Sequence, residues 1–370
     1  MSIIDKVNPS SASGAPLFIV GCGRSGTTLL RLMLNMHPDI CIPEESHIIY
    51  QIARLRSFGL WPAAGSPDFS DYFLKYVESS KFMDNWKLPP NALRKRVMES
   101  GKTDFGSLLE SMYEEFRVKE GKLLWGDKTP MHVQYMWIVR YFFPTARFIH
   151  IIRDARDVAQ SVAAKSWGPR HISHAGYYWK WLVLSGMISG RMMGSKNYYE
   201  VRFEDLVSNP ESTLRAITAF AGLKYSNMLL KYHEGSAAFD YAAKGNEGSK
   251  RLQQVLDPKR IYLWRENMPP SQIKSVDRQA GAVLRLLGYE SIDSSRRQAS
   301  ELEKLRHLMT ENELLKLDQQ ATAYQGGKFA TQIGMHWQRL SQARCFVTGN
   351  WFGWAKAGIR WQRTVARLLG

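Results

Sequence analysis

Pro16-Leu17-Phe18-Ile19-Val20-Gly21-Cys22-Gly23-Arg24-Ser25-Gly26-Thr27-Thr28, with Leu29 to Met36 behind it, decides how this chain is read. Leu17 to Val20 is an apolar run without polar interruption, as in a strand covered on both faces. Gly21, Gly23 and Gly26 then allow a tight turn and a close approach of backbone to a ligand. From Thr27 the apolar residues recur at helical spacing until His37-Pro38-Asp39, where proline cannot continue a helix. In a strand, loop and helix of this kind, the amides that open the helix point at one spot. The positive end of the helix favours an anion there.

The loop is similar to the common nucleotide phosphate loop G-x-x-x-x-G-K-[ST], with one departure: Thr27 takes the place of the lysine, while Arg24 puts a cation inside the loop. Without that lysine an ATPase loses its β/γ-phosphate contact, so the loop suits phosphate binding of another kind. An ordinary glycine turn between strand and helix is the plain alternative, set against the density of Arg, Ser, Gly and Thr here.

Outward from the loop, short apolar runs at Asp39 to Ile42, Leu123 to Asp127, Arg147 to Ile152 and Tyr198 to Phe203 read as strands. Helical patterns lie at about 69–78 and 104–118, from Val133 to Phe142, after Asp154 to about Lys165, and from Tyr177 to Met193. Another opens at Pro210, a residue suited to the first helical turn. This alternation predicts an α/β protein with a mainly parallel central sheet covered on both faces, a three-layer P-loop-like fold. One domain is expected over 15–291, after a loose lead-in at 1–14. Within it, the irregular and aromatic-rich stretch 55–120 is expected to supply acceptor-site and lid helices. A charged helix at 292–320 and a basic, Trp-rich region at 321–370 form a C-terminal helical extension.

Composition narrows the function classes. The chain has 370 residues and a formal net charge of +16, which favours an anionic partner. Its last fifty residues hold seven Lys or Arg and no Asp or Glu, so much of that excess lies in the tail. Cys22, Cys41 and Cys345 have neither metal-ligand spacing nor a disulfide-scaffold count, and a reducing compartment is the simplest setting. The lead-in has no signal-peptide core, and no stretch approaches eighteen uncharged apolar residues. A cytoplasmic location is expected, with peripheral attachment to the inner face of the membrane left open.

Four ordered pieces of the chain resemble sulfotransferases that use 3′-phosphoadenosine 5′-phosphosulfate (PAPS), and especially the bacterial and tyrosylprotein branch. They are the loop with its flanks, Arg147-Phe148-Ile149-His150-Ile151-Ile152-Arg153-Asp154-Ala155-Arg156-Asp157 continuing to Ser161, Val201-Arg202-Phe203-Glu204-Asp205-Leu206, and Leu286-Leu287-Gly288-Tyr289. The resemblance implies that Gly23, Arg24, Ser25, Gly26, Thr27 and Thr28 hold the 5′-phosphosulfate, and that Arg153 and Ser161 hold the 3′-phosphate. Arg156 is a further candidate, and so is Arg251 or Lys250 in the loop 244–251, which lacks the family's aromatic. Phe203 stands where the family often has Tyr, and Trp264 is similar to a tryptophan before the last helices. PAPS is the implied cofactor, leaving as the bisphosphate PAP, with no metal required.

Sulfuryl transfer needs cations beside the leaving oxygen and a base beside the acceptor hydroxyl. Arg24 and Lys128, in Trp125-Gly126-Asp127-Lys128-Thr129-Pro130, are the cations, and Asp127 is expected to orient Lys128. Within Pro43-Glu44-Glu45-Ser46-His47 the resemblance places the base on Glu45; residue chemistry alone leaves Glu44 and His47 open as well. The expected acceptor is the hydroxyl of a carbohydrate or glycolipid, with a phenol or peptide tyrosine as the alternative. Two other classes stand beside these: a nucleotide-dependent kinase or NTPase, and a scaffold that binds nucleotide without turnover.

The tail supplies the partner expectations. Trp351, Trp354, Gly358, Trp361, Val365 and Leu368 share one helical face, with Lys356, Arg360, Arg363 and Arg367 opposite. Such a helix suits an anionic lipid surface; packing on its own domain or on a partner chain is the alternative. Leu305, Leu308, Asn312 and Leu315 permit a short coiled coil, and with it a homo-oligomer, or equally docking on the parent domain. Nucleic acid is not expected, because the aromatics do not interleave with the cations.

Overall fold

A computed structural model of the chain describes residues 14–57, 66, 68–165, 168–169, 171–243 and 249–291. The expected extension at 292–370 lies outside the described residues, as does most of the loop 244–251.

Five strands form one sheet: β1 Leu17–Gly21, β2 Ile40–Cys41, β3 Leu124–Lys128, β4 Arg147–Ile152 and β5 Tyr198–Arg202. Their order is β2-β3-β1-β4-β5, and every pairing is parallel. β1 is therefore central, with Leu17 opposite Arg147 in β4 and Gly126 in β3. This is why its sequence is an unbroken apolar run: both of its faces are covered, and all five residues are buried.

Successive strand residues face opposite layers. Phe18 and Val20 enter the core shared with Trp125, Phe148 and Ile152, while Leu17 and Ile19 enter the one shared with Ile149, Ile151 and Val201. The second core is closed by α1 Thr27–Asn35. The region after it folds as α2 Ile48–Ser57, α3 Phe69–Glu78, α4 Lys81–Trp86, α5 Pro90–Ser100 and α6 Phe105–Lys119. The first core is closed by α6, α7 Met136–Phe142, α8 Ala155–Ala163 and the 22-residue α9 Ile172–Met193. After β5 come α10 Phe203–Ser208, α11 Pro210–Ala221, α12 Ser236–Ala243, α13 Trp264–Asn267 and α14 Pro270–Leu286. At Gly190 of α9 an added Cβ would lie 2.1 Å from the Tyr198 ring, so glycine is what lets this helix lie close on the sheet.

The α/β class, the parallel sheet and the helices flanking the first loop match the sequence expectation, with three differences. The stretch 55–120 is more helical than its prolines suggest, because Pro90 sits at the first turn of α5, where its missing N–H costs nothing. The helix expected from Val133 to Phe142 is a 3-10 turn, Pro130–Gln134, followed by α7, with Tyr135 between them at φ −118° and ψ 15°. The strand expected from Asp39 to Ile42 contracts to Ile40–Cys41.

Candidate functional site

The loops that leave the C-terminal ends of β1, β2, β3 and β4 meet on one side of the sheet, the usual place for a ligand in an open parallel sheet. The loop after β1 carries two backbone features that only particular residues tolerate. Gly26, which opens α1, has φ 96°, and a Cβ there would meet the Phe203 ring at 2.4 Å. Arg24 has φ 71°, a costly conformation for a residue with a side chain. No side chain caps α1, so the first amides of the helix keep their donor capacity for a ligand.

Arg24 turns its guanidinium across to α8, where Nε donates to Ser161 Oγ at 3.0 Å. Arg153, at the end of β4, reaches the same place. Its guanidinium lies 4.5 Å from the centre of the Phe203 ring, 3.3 Å from Asp157 Oδ2 and 3.5 Å from the Arg24 carbonyl oxygen. Asp157 also accepts the backbone N–H of Tyr262 (3.0 Å) and Trp264 (2.9 Å), which ties the later loop down beside Arg153. Arg24, Ser161 and Arg153 therefore form one cationic and hydroxyl-bearing cluster. Ser25 Oγ and Arg153 Nε are buried without a hydrogen-bond partner among the described residues. Orphaned donors beside a glycine loop and a helix start suit an oxygen-rich anion, so the residues present fit a phosphorylated nucleotide.

The second half of the site is built on β3. Lys128 pairs in register with Ile19 and faces α1, while Asp127 pairs with Phe18 and faces the opposite layer. Lys128 is 2% exposed; its ammonium donates to Thr28 Oγ1 at 3.2 Å and contacts Glu45 Oε1. His47 Nε2 lies 3.2 Å from the other Glu45 oxygen, held there by a backbone with φ 55°. Behind this turn Trp86 Nε1 donates to the Glu44 carbonyl oxygen at 2.7 Å, so α4 backs the acidic stretch. Burial alone would raise the Glu45 pKa, but the Lys128 charge and hydrogen bonds from His47 and Lys128 outweigh it and hold the carboxyl well below the usual range. For Lys128, burial pulls the pKa below that of an ordinary lysine, and Glu45 restores part of it.

Asp127 does not orient Lys128, because adjacent strand residues point to opposite faces. Its carboxylate is fully buried, accepts the Tyr113 hydroxyl at 2.8 Å and lies 2.9 Å from His132 Nδ1. Arg156 is likewise structural. It is fully buried, bonds both oxygens of Asp154 (2.9 and 2.7 Å), donates to the Glu290 carbonyl oxygen at 2.7 Å and stacks 3.6 Å from the Trp264 ring centre. Glu204 accepts the Asp154 N–H at 3.0 Å and the Tyr289 hydroxyl at 2.8 Å. Three of the resemblance pieces are thus wired to one another behind the site. Arg251 is exposed on the 3-10 turn Ser249–Gln253, and no hydrogen bond or ion pair joins its side chain to Arg153 or Ser161.

Two site residues escaped the sequence reading. Arg31, three positions after Thr28 on α1, is 4% exposed, and its charge is felt by Lys128. A lone arginine inside Thr27-Thr28-Leu29-Leu30-Arg31-Leu32-Met33-Leu34 was the available signal. Tyr241 of α12 lies against Thr28 and Arg31, with its ring centre 5.8 Å from the guanidinium carbon. Nothing local in the sequence marks it.

Comparison with known proteins places this geometry. The model of the sulfotransferase family matches residues 16–227. Protein-tyrosine sulfotransferase A of Caenorhabditis elegans is 26% identical over 294 residues, covering 74% of this chain and 67% of that protein. Human protein-tyrosine sulfotransferase 1 is 25% identical over 290 residues, covering 74% and 69%. Nodulation protein NoeE of Sinorhizobium fredii is 24% identical over 305 residues, covering 74% and 65%. Among solved structures, the sulfotransferase domain of the Synechococcus PCC 7002 olefin synthase superposes with a TM-score of 0.54 at 22% identity, over 76% of this chain and 98% of that one, a likeness of fold. The chain belongs to the sulfotransferase family. By class it is a PAPS-dependent sulfotransferase, an enzyme of sulfuryl transfer.

Proposed function

We propose that this protein transfers the sulfuryl group of PAPS to a phenolic hydroxyl, on a peptide tyrosine or a small phenol, with Glu45 as general base. The observation that carries the reading is the Glu45–Lys128–Thr28 contact beside the Arg24–Ser161–Arg153 cluster. A base, a buried cation and a phosphate-binding loop meet there within one constellation. Bound PAPS supplies the activated sulfuryl group and an anionic leaving group. Gly23 to Thr28 cradle the 5′ end through backbone amides and hydroxyls, and Arg153 and Ser161 hold the 3′-phosphate.

Glu45 takes the acceptor proton as the acceptor O–S bond forms and the S–O bond to the 5′-phosphate breaks, releasing PAP. Lys128 and Arg24 neutralise the charge that grows on the departing oxygen. In the free protein Glu45 is a weak base, because Lys128 holds it ionised. When Lys128 turns to the donor's oxygens, Glu45 loses that stabilisation and gains basicity beside the acceptor.

The relatives' names favour protein tyrosine over the carbohydrate or glycolipid first expected, and the aromatic pair Tyr50–Tyr135, 5.4 Å between ring centres after the base, offers a wall for a phenol. The test is transfer of labelled sulfate from PAPS to a tyrosine-containing peptide, a simple phenol and a panel of saccharides and glycolipids. Labelling of the phenolic acceptors, lost in Glu45→Gln and Lys128→Met, is the expected result. Labelling confined to saccharides would overturn the phenol assignment, and failure to bind PAP would overturn the nucleotide site.

A further inference from the structure

Tyr241 is an aromatic side chain placed against the loop threonine that also meets Lys128. It is carried by α12, a helix that the sequence patterning did not single out. Ala238, one helical turn earlier and on the same face, is fully buried in the core beneath α1, whereas Phe239 on another face is 52% exposed. The helix is thereby oriented with its Tyr241 face toward α1. There the phenol meets the Thr28 side chain and lies beside Arg31.

Hydrogen-bond polarity gives this contact a direction. An ammonium has donors only, so in the 3.2 Å contact Lys128 donates and Thr28 Oγ1 accepts. Thr28 is left with one proton, which it can donate to the Tyr241 oxygen. The Tyr241 hydroxyl proton then becomes the outermost donor of the chain Lys128, Thr28, Tyr241. The position along the ligand follows from the neighbours. Arg153 and Ser161 mark the nucleotide end of the site, whereas Lys128 contacts Glu45, the base, at the other end. Tyr241 belongs with the second group, where the reacting group must lie.

We propose that Tyr241 donates a hydrogen bond to the transferring sulfuryl group and is a further catalytic residue of this enzyme. The proposal rests on the sulfotransferase reading above. It adds a neutral donor to the cations Lys128 and Arg24. As charge shifts from the transferring group to the departing oxygen, Tyr241 keeps the sulfuryl oxygens in line with the acceptor held by Glu45.

The test compares two ligands that differ by the sulfuryl group. Isothermal titration of PAP and of PAPS, without acceptor, is run on the full chain and on Tyr241→Phe, together with steady-state rates and unfolding temperatures. Tyr241→Phe removes one hydroxyl and no ring. The expected result is a PAPS affinity about tenfold weaker and a kcat lowered by a similar factor, as for loss of one bond to a charged group. PAP affinity stays within about twofold and the unfolding temperature is unchanged, because the ring still packs. Equal weakening of PAP and PAPS would place the hydroxyl on the nucleotide or in the fold, and unchanged PAPS affinity and kcat would remove it from the reaction; either overturns the proposal. If the wild-type chain itself binds neither nucleotide, the sulfotransferase reading falls first. If it binds and turns over while Tyr241→Phe matches it, only the role of Tyr241 falls.

Discussion

Replacing Glu45 by Gln separates its chemical role from its structural one. The change keeps the shape and removes the charge that Lys128 and His47 share. Two opposite charges about 4 Å apart near a protein surface attract by about 4 kcal/mol in a medium of effective dielectric about 20. Lys128 loses hydration to reach 2% exposure, and Glu45 is still 30% exposed, so most of that attraction is offset or screened. The variant should therefore be less stable by about 1 kcal/mol at neutral pH. Because the folded pKa of Glu45 lies below its unfolded value of about 4.3, the contribution is fully present above that pH. It is lost as the pH falls through the folded value, so the gap between wild type and variant should narrow below about pH 4. Turnover should drop by about 10²- to 10⁴-fold, the usual worth of a general base. PAP affinity should stay equal or improve, because removing a carboxylate leaves Lys128 wholly available to the anion. Urea titrations at several pH values, calorimetric PAP binding and single-turnover rates read these three effects. A variant that turns over within about threefold of wild type would refute Glu45 as base. A parallel collapse of PAP binding would show that its role is to hold the loop.

Other variants probe the rest of the structure. Tyr289→Phe leaves Glu204 Oε2 without its buried partner, so a loss of about 2 kcal/mol and an unfolding temperature lower by about 4 °C are expected in calorimetry. In the Glu204→Gln background the same change should cost less, and strict additivity would show that the two residues are not coupled. Arg153→Ala should weaken PAP by about tenfold to a hundredfold in titration, the worth of charge-assisted bonds to a phosphate; unchanged affinity would remove Arg153 from the nucleotide site. If the basic, Trp-rich sequence 321–370 serves an anionic lipid surface, the full chain should sediment with anionic vesicles and a Trp351→Ser, Trp354→Ser, Trp361→Ser variant should not; no sedimentation of the wild type, or equal sedimentation of both, would refute that expectation.

What the sequence makes legible follows physical range. The loop from Gly21 to Thr28 is local: its glycines, its cation and its place between strand and helix all lie within one short stretch, and the structure keeps them together. Arg24 meets Ser161 across 137 positions because the loop after β1 and the helix after β4 leave neighbouring parallel strands on the same side of the sheet. The Asp127 expectation failed because strand residues alternate faces, so proximity to Lys128 along the chain meant separation in space. The coupling of Glu204, Tyr289 and Arg156 was out of reach, since it is a match of buried donors to acceptors that only packing assembles. Tyr241 was hidden for the same reason, on a short helix with a weak amphipathic pattern and a distant docking surface.

The wiring behind the site also fixes an order of manufacture. Asp154, which caps α8, leans on Glu204, fifty positions later; Glu204 leans on Tyr289, eighty-five positions later still. Arg156 waits for the carbonyl of Glu290. A chain emerging from the ribosome can pair β1 with β3 and β4 early, but the anchor of its nucleotide-facing helix closes only when the end of the domain has been synthesised. Until then the Glu204 carboxylate lacks the Tyr289 hydroxyl and the Arg156 guanidinium, already paired with Asp154, lacks the Glu290 carbonyl. A nascent enzyme stalled before Tyr289 therefore has all five strands of its sheet and an unfinished anchor behind the phosphate pocket.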